Sequence, residues 1–106
     1  SAPEAGYGAE IRVLRASPPR DVRVLYTQAG TPATEPLAGR AKLARGARIE
    51  AVDGVNVVSG GTTQAEIDTL NNGLFPRNAG ETHTFTVRYV DGPVRTVTLT
   101  SAALVE

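Results

Sequence analysis

His83 is the only histidine of the chain and there is no cysteine, so the catalytic chemistry open to these residues is narrow. Nucleophilic catalysis by serine needs a base within hydrogen-bond reach and a serine on a constrained turn, such as a Gly-x-Ser-x-Gly elbow, and no such elbow occurs. His83 sits between Thr82 and Thr84 in a stretch that reads as a strand, an ordinary surface or half-buried position, and is assigned no catalytic role. One imidazole and no thiolate leave only scattered carboxylates for a metal, so neither a metal site nor a cofactor is expected. Ser59-Gly60-Gly61 reads as a connector. Gly6-Tyr7-Gly8-Ala9 is different. A glycine-flanked loop running straight into a strand exposes successive backbone N–H groups, a nest that binds an anionic group without a cationic side chain. Phosphate is disfavoured, because phosphate loops open helices and this loop opens a strand. The competing reading is a flexible lead-in to a domain, and the spacing alone does not choose between them.

The elements that must position this loop are legible from periodicity. Residues 1–8, with Pro3, Gly6 and Gly8, read as too loose for regular structure. From Ala9, Ile11 and Val13 alternate with Glu10 and Arg12, as a strand with one buried face requires. Ser17-Pro18-Pro19 breaks it, and Val22, Val24 and Tyr26 resume the alternation, which predicts an antiparallel pair. Pro36 suits a first helical position and Leu37 and Ala41 could share a face, so residues 36–42 are expected to form a short helix or a mobile loop. Next come a buried Leu43, a glycine stop at Gly46, a strand carrying Ile49 and Val52, the turn Asp53-Gly54, and Val55 and Val57. Thr63-Gln64-Ala65-Glu66 has capping-box spacing, and Ile67, Leu70 and Leu74 form one apolar stripe, with Asn71 on its flank. That predicts a main helix over 63–74, stopped by Gly73 and Pro76. Phe85, Val87 and Tyr89, then Val97 and Leu99, alternate about Asp91-Gly92 as a final hairpin, with 101–106 extending it or leading onward.

A length of 106 residues suits one domain with one core. Eleven basic and eleven acidic side chains cancel, which argues against a nucleic-acid footprint or an anionic-membrane patch. Arg20, Arg23, Arg40, Lys42, Arg45 and Arg48 cluster in sequence and are read as a solvated face. No run is long and apolar enough to span a membrane, and no signal peptide is visible. The chain does not open on Met, and both ends look cut; it is expected to be a piece of a longer protein.

The stretch Leu43, Gly46, Ile49, Val52, Asp53, Gly54 and Val57 resembles the Leu-x-x-Gly-Asp-x-Ile-x-x-Val-Asn/Asp-Gly-x-x-Val signature of PDZ domains, departing from it at Ala47, where the family usually has a turn-stabilising Asp. Gly30-Thr31-Pro32-Ala33 resembles the Gly-Ser-Pro-Ala segment that precedes a short helix there, with 34–42 a small insertion. The resemblance runs from Gly6 to Leu99. It implies an α+β fold: a small, partly open antiparallel barrel or sandwich of five to six strands with the helix at 63–74. It also implies that Gly6-Tyr7-Gly8-Ala9 stands where such domains hold the terminal carboxylate of a bound peptide on main-chain amides, Ala9 replacing the usual large apolar residue. The peptide would add as a strand to Glu10–Leu14, with the helix as the other wall. The implied peptide-binding residues are Tyr7, Gly8, Ala9, Glu10, Ile11, Ile67, Leu70, Asn71 and Leu74. For Ile67, Leu70 and Leu74 the alternative is plain core packing, and at least one is expected to follow it. The Leu43–Val57 stretch would hold the two walls apart without touching a ligand.

More narrowly, Gly-Tyr-Gly-Ala-Glu-Ile, Asn71-Asn72-Gly73-Leu74-Phe75-Pro76 and Thr84-Phe85-Thr86-Val87 look like the PDZ segment of bacterial C-terminal-processing, or tail-specific, serine peptidases. That implies a single PDZ domain over 1–106, itself no enzyme, from an exported serine-type protease of the periplasm or cell envelope whose catalytic domain follows Glu106. Its partners would be the C-terminal peptides of substrate proteins, which it would present or gate. The alternative is a non-enzymatic scaffold or secretion-system PDZ module that binds a partner protein; an independent small enzyme is argued against by the residue inventory.

Overall fold

A computed structural model of the chain describes residues 5–104. In chain order its elements are β1 (Ala5–Gly6), β2 (Ala9–Arg15), β3 (Asp21–Thr27), a 3₁₀ turn (Pro32–Thr34), β4 (Pro36–Leu37), β5 (Arg40–Ala41), β6 (Arg48–Val52), β7 (Val55–Asn56), α1 (Gln64–Leu74), β8 (Thr82–Arg88), β9 (Val94–Thr100) and β10 (Ala102–Ala103). The main sheet runs β2-β3-β6-β8-β9, antiparallel throughout, with β7 paired to β6; it does not close, and β2 forms one edge. This is the PDZ-like α+β architecture the sequence implies.

Alternation sets the buried face. Val22 and Val24, Phe85 and Val87, and Val97 and Leu99 point into the core from β3, β8 and β9. In β6 the two buried apolar residues, Ile49 and Val52, are three apart, an odd spacing that strict alternation forbids. A bulge between Ile49 and Ala51 in the pairing with β8 supplies the extra residue that returns Val52 to the core. Asp53 (φ 48°) and Gly54 (φ 83°) make the expected tight turn, both with the positive φ that a twisted hairpin needs.

Helix α1 starts as a capping box. Thr63 Oγ1 accepts the Glu66 N–H at 3.2 Å, and Glu66 Oε1 accepts the N–H groups of Thr62 and Thr63 at 3.1 and 3.4 Å. Leu70 and Leu74 are buried and Ile67 is half-buried. Gly73 does not stop the helix. It lies in the last turn, where a Cβ would come within 2.2 Å of Val52 Cγ1, so the glycine lets the helix lie directly on β6.

Three further expectations are corrected. Residues 36–42 form neither a helix nor a loose loop but the small β4–β5 hairpin, turned by Ala38 and Gly39 at φ 49° and 87° and closed by the Lys42 N–H to Glu35 carbonyl bond at 3.0 Å. The short helical element is instead the 3₁₀ turn at Pro32–Thr34. Of the loose lead-in over 1–8, residues 1–4 lie outside the described residues, but Ala5–Gly6 pairs with Ala102–Ala103. That pairing also places the start of the 101–106 tail, whose Val105 and Glu106 lie outside the described residues. The basic cluster is a solvated face only at Arg45, which is exposed: Arg20, Arg23, Arg40, Lys42 and Arg48 are half-buried, and Arg20 donates to the carbonyls of Ala16, Val57 and Gly60 at 2.8–3.0 Å. Ala47, where the signature has Asp, is fully buried; its turn is held by main-chain bonds from Gly46 N–H to Val24 O (2.7 Å) and from Val24 N–H to Ala47 O (2.9 Å).

Candidate functional site

The loop between β1 and β2 is anchored by its carbonyls. Tyr7 O accepts the Ala33 N–H and Gly8 O the Gln28 N–H, each at 2.8 Å. In a trans peptide the carbonyl and the following N–H point opposite ways, so anchoring those oxygens on the 28–33 segment turns the Gly8 and Ala9 amides away from it. Among the described residues the Tyr7 and Gly8 N–H groups have no acceptor. Gly8 has φ 83°, and a Cβ there would stand 2.2 Å from the Thr31 side chain. Only glycine fits, on both counts.

A cavity of about 300 Å³ opens beside this loop. Tyr7, Ala9, Glu10 and Ile11 line one side, Leu74, Phe75 and Pro76 from the end of α1 the other, and Ala5, Gly6 and Leu104 complete it. Gly8 lines a smaller adjoining space with Ala9, Glu10, Tyr26, Gln28 and Leu104. Among the described residues β2 is an edge strand, so the cavity lies at a row of backbone groups that none of them pairs, the arrangement that strand addition uses. Of the residues expected to bind, the structure brings together Tyr7, Gly8, Ala9, Glu10, Ile11 and Leu74. Leu70 packs in the core beneath Gly61, Ile67 is half-buried and Asn71 exposed, and none of these three lines the cavity. Sequence reasoning passed over Phe75 and Leu104. Phe75 enters the sequence reading only as part of the Asn71–Pro76 motif, and a large apolar residue placed between the helix end and a proline is the available signal; for Leu104 there is none.

The Tyr7 side chain turns away from solvent. Its hydroxyl donates to the Gly73 carbonyl at 2.6 Å, and its ring meets Phe85 edge-on, with centroids 5.4 Å apart at 81°. Burial, and then the negative charges of Asp53 and Glu81, raise its pKa, so the phenol remains a donor. Close by, His83 lies between two carboxylates, with Nδ1 2.5 Å from Asp53 Oδ2 and Nε2 3.2 Å from Glu81 Oε1. Burial works to lower the His83 pKa, but the two hydrogen bonds and the charges behind them outweigh it and the pKa is raised. Glu81 is lowered, first by the Asn78 N–H and then by His83. Asp53 also accepts the Thr84 N–H at 2.8 Å, so the cluster ties the Asp53-Gly54 turn to β8. Nothing in it resembles a nucleophile and base pair, and among the described residues no group of three His, Asp or Glu side chains could hold a metal ion. Among those residues no helix is long and apolar enough to cross a membrane.

No protein-family model and no curated protein matches the chain. Among solved structures it is similar to the photosystem II D1 C-terminal processing protease, at 28% identity and a TM-score of 0.59, over 95% of this chain and 24% of that one. Mature CPAF is a looser likeness, at 16% identity and a TM-score of 0.46, over 94% of this chain and 20% of that one, and bears no weight. The chain thus spans about a quarter of the length of the processing protease it matches. With the open sheet and single main helix, the likeness matches the resemblance carried by the sequence: this is a PDZ-like domain, similar to those of C-terminal-processing peptidases.

Proposed function

We propose that this chain is a peptide-binding PDZ module that takes protein C-termini by strand addition to β2 and presents or gates them for a serine-type peptidase domain outside the chain. The observation that supports the reading is that, among the described residues, the Tyr7 and Gly8 N–H groups have no acceptor and the cavity beside them runs along an edge of β2 with no partner strand. A peptide terminus offers a carboxylate for the amides, backbone groups for the edge and an apolar side chain for the cavity. The likeness to a processing protease supports the protease association over the scaffold or secretion-system reading, and a periplasmic or cell-envelope setting is proposed with it.

Each amide bond to a charged carboxylate contributes about 1.5–3 kcal/mol, and ordering a free peptide offsets much of it, so binding is expected in the micromolar range. Calorimetric titration with peptides ending in an apolar residue, as free acids and as C-terminal amides, tests this. The free acids should bind at least about tenfold more tightly, equivalent to ~1.4 kcal/mol. Equal affinity for the two forms refutes the carboxylate assignment.

A further inference from the structure

We infer that Tyr7 is a positioning residue: by capping the Gly73 carbonyl, its hydroxyl clasps the amide-bearing loop to the last turn of α1 and fixes the geometry in which the loop meets a ligand. The inference rests on the reading of that loop as a carboxylate site. Helix α1 ends at Leu74, so its last carbonyls have no donor from a following turn. Asn71 O is satisfied by the Phe75 N–H at 2.9 Å, and Gly73 O by the Tyr7 hydroxyl, which arrives from 66 residues away. The loop's other anchors, at Ala33 and Gln28, lie on the 28–33 segment. The phenol is therefore what joins the loop to the helix, and Leu74, Phe75 and Pro76, the residues directly after its acceptor, line the far side of the cavity.

Both ends of the clasp are held. Gly73 rests on Val52 with no room for a methyl group, and the Tyr7 ring is wedged edge-on against buried Phe85. A phenylalanine could keep that ring packing, so what the hydroxyl adds is the register of the loop against the helix end.

Tyr7→Phe in the 106-residue chain separates this role from simple packing. Amide hydrogen exchange by NMR reads the loop through the Ala33 and Gln28 amides, which donate to Tyr7 and Gly8, and the helix end through the Phe75 amide. In the variant all three should lose protection at least fivefold while the Val87 and Val97 amides keep theirs. Free-acid peptides should bind five- to tenfold more weakly, with amidated peptides unchanged. Unchanged protection at Ala33 and Gln28, or an equal loss for both peptide forms, overturns the inference. If the unsubstituted chain does not distinguish acid from amide, the carboxylate reading fails, while the exchange data still decide whether the clasp exists. Should the variant fold poorly, exchange in the unsubstituted chain decides it: Ala33, Gln28 and Phe75 should open with one common free energy, and three different ones refute the clasp.

Discussion

Gly8→Ala is the substitution whose cost the structure defines best, because two separate penalties meet at one methyl group. The first is conformational: at φ 83° an L side chain is strained, at about 1–2 kcal/mol. The second is steric. The new Cβ would lie 2.2 Å from both Cβ and Oγ1 of Thr31 and 2.4 Å from its Cγ2, against ordinary carbon contacts of about 3.5–4 Å. Thr31 cannot swing aside freely, since its hydroxyl donates to Gln28 O at 2.7 Å, and forced overpacking of this kind costs about 1–3 kcal/mol. Together the two predict a loss of about 2–5 kcal/mol, a large part of a small domain's stability. The three nearest atoms all belong to the Thr31 side chain, so Thr31→Gly removes the closest clashes and leaves the conformational penalty. In that background Gly8→Ala should cost only about 1–2 kcal/mol, a coupling of about 1–3 kcal/mol in a double-mutant cycle. With no tryptophan in the chain, urea denaturation followed by far-UV circular dichroism is the natural assay. Additive effects, with Gly8→Ala costing the same in both backgrounds, would refute the close approach of loop and Thr31.

Two more outcomes follow from the geometry behind the loop. Gly73→Ala would ordinarily gain about 1 kcal/mol in a helix, but the 2.2 Å approach to fully buried, β-branched Val52 reverses the sign, and a net loss of about 1–2 kcal/mol in urea denaturation is expected; a stabilised variant would sink the packing argument. The His83 pKa is raised, so its contribution to stability is full below its ordinary 6.5 and is lost as pH rises through the higher folded value; Glu81 is lowered, so its contribution is present above its ordinary 4.5 and is lost as pH falls. Stability should therefore peak between those two values and decline from pH 6 to pH 8.5. Because His83 is the only histidine and there is no cysteine, His83→Gln should flatten that decline, and an unchanged slope in urea midpoints would show that the Asp53–His83–Glu81 cluster is not its source.

What the sequence revealed depended on whether the signal was local. The Asp53-Gly54 turn, the capping box at Thr63 and the alternation in β8 and β9 are each complete within a few residues, and each appears in the structure where the pattern put it; in β3 the alternation holds at Val22 and Val24 but fails at Tyr26, which is exposed beyond the register shift in the pairing with β2. The β4–β5 hairpin was missed because Ala38 takes the positive φ usually given to Asn or Asp, while Pro36, Leu37 and Ala41 imitate a helical face. Gly73 was read through its backbone freedom, whereas its use here is the absence of a side chain opposite Val52, a contact between elements that no local pattern encodes. The site divides along the same line. Tyr7 to Ile11 are contiguous and were legible as a loop opening a strand; Phe75 and Leu104 reach the cavity only through the end of α1 and the β1–β10 pairing, and β10 is two alanines with no alternation to announce it.

On the proposed reading, the same division bears on specificity. The loop amides and the β2 edge are main-chain groups, which any peptide terminus satisfies equally, so they supply affinity and orientation without choosing among sequences. Choice must come from the side chains around the cavity, and most of these are apolar: Ile11, Leu74, Phe75, Pro76 and Leu104, with Ala9 leaving space where a larger residue would fill it. A methylene gained or lost in such a pocket is worth only about 1–3 kcal/mol, so apolar fit grades ligands without excluding neighbours in size. Among the described residues Glu10 is the one charged residue on the cavity's rim, and the nearest basic group there, on Arg12, is 4.0 Å away. A carboxylate there raises the cost of an acidic side chain near the terminus while leaving the terminal carboxylate to the amides. A module built this way accepts many apolar termini at modest affinity and disfavours acidic ones, a selectivity suited to sorting exposed tails.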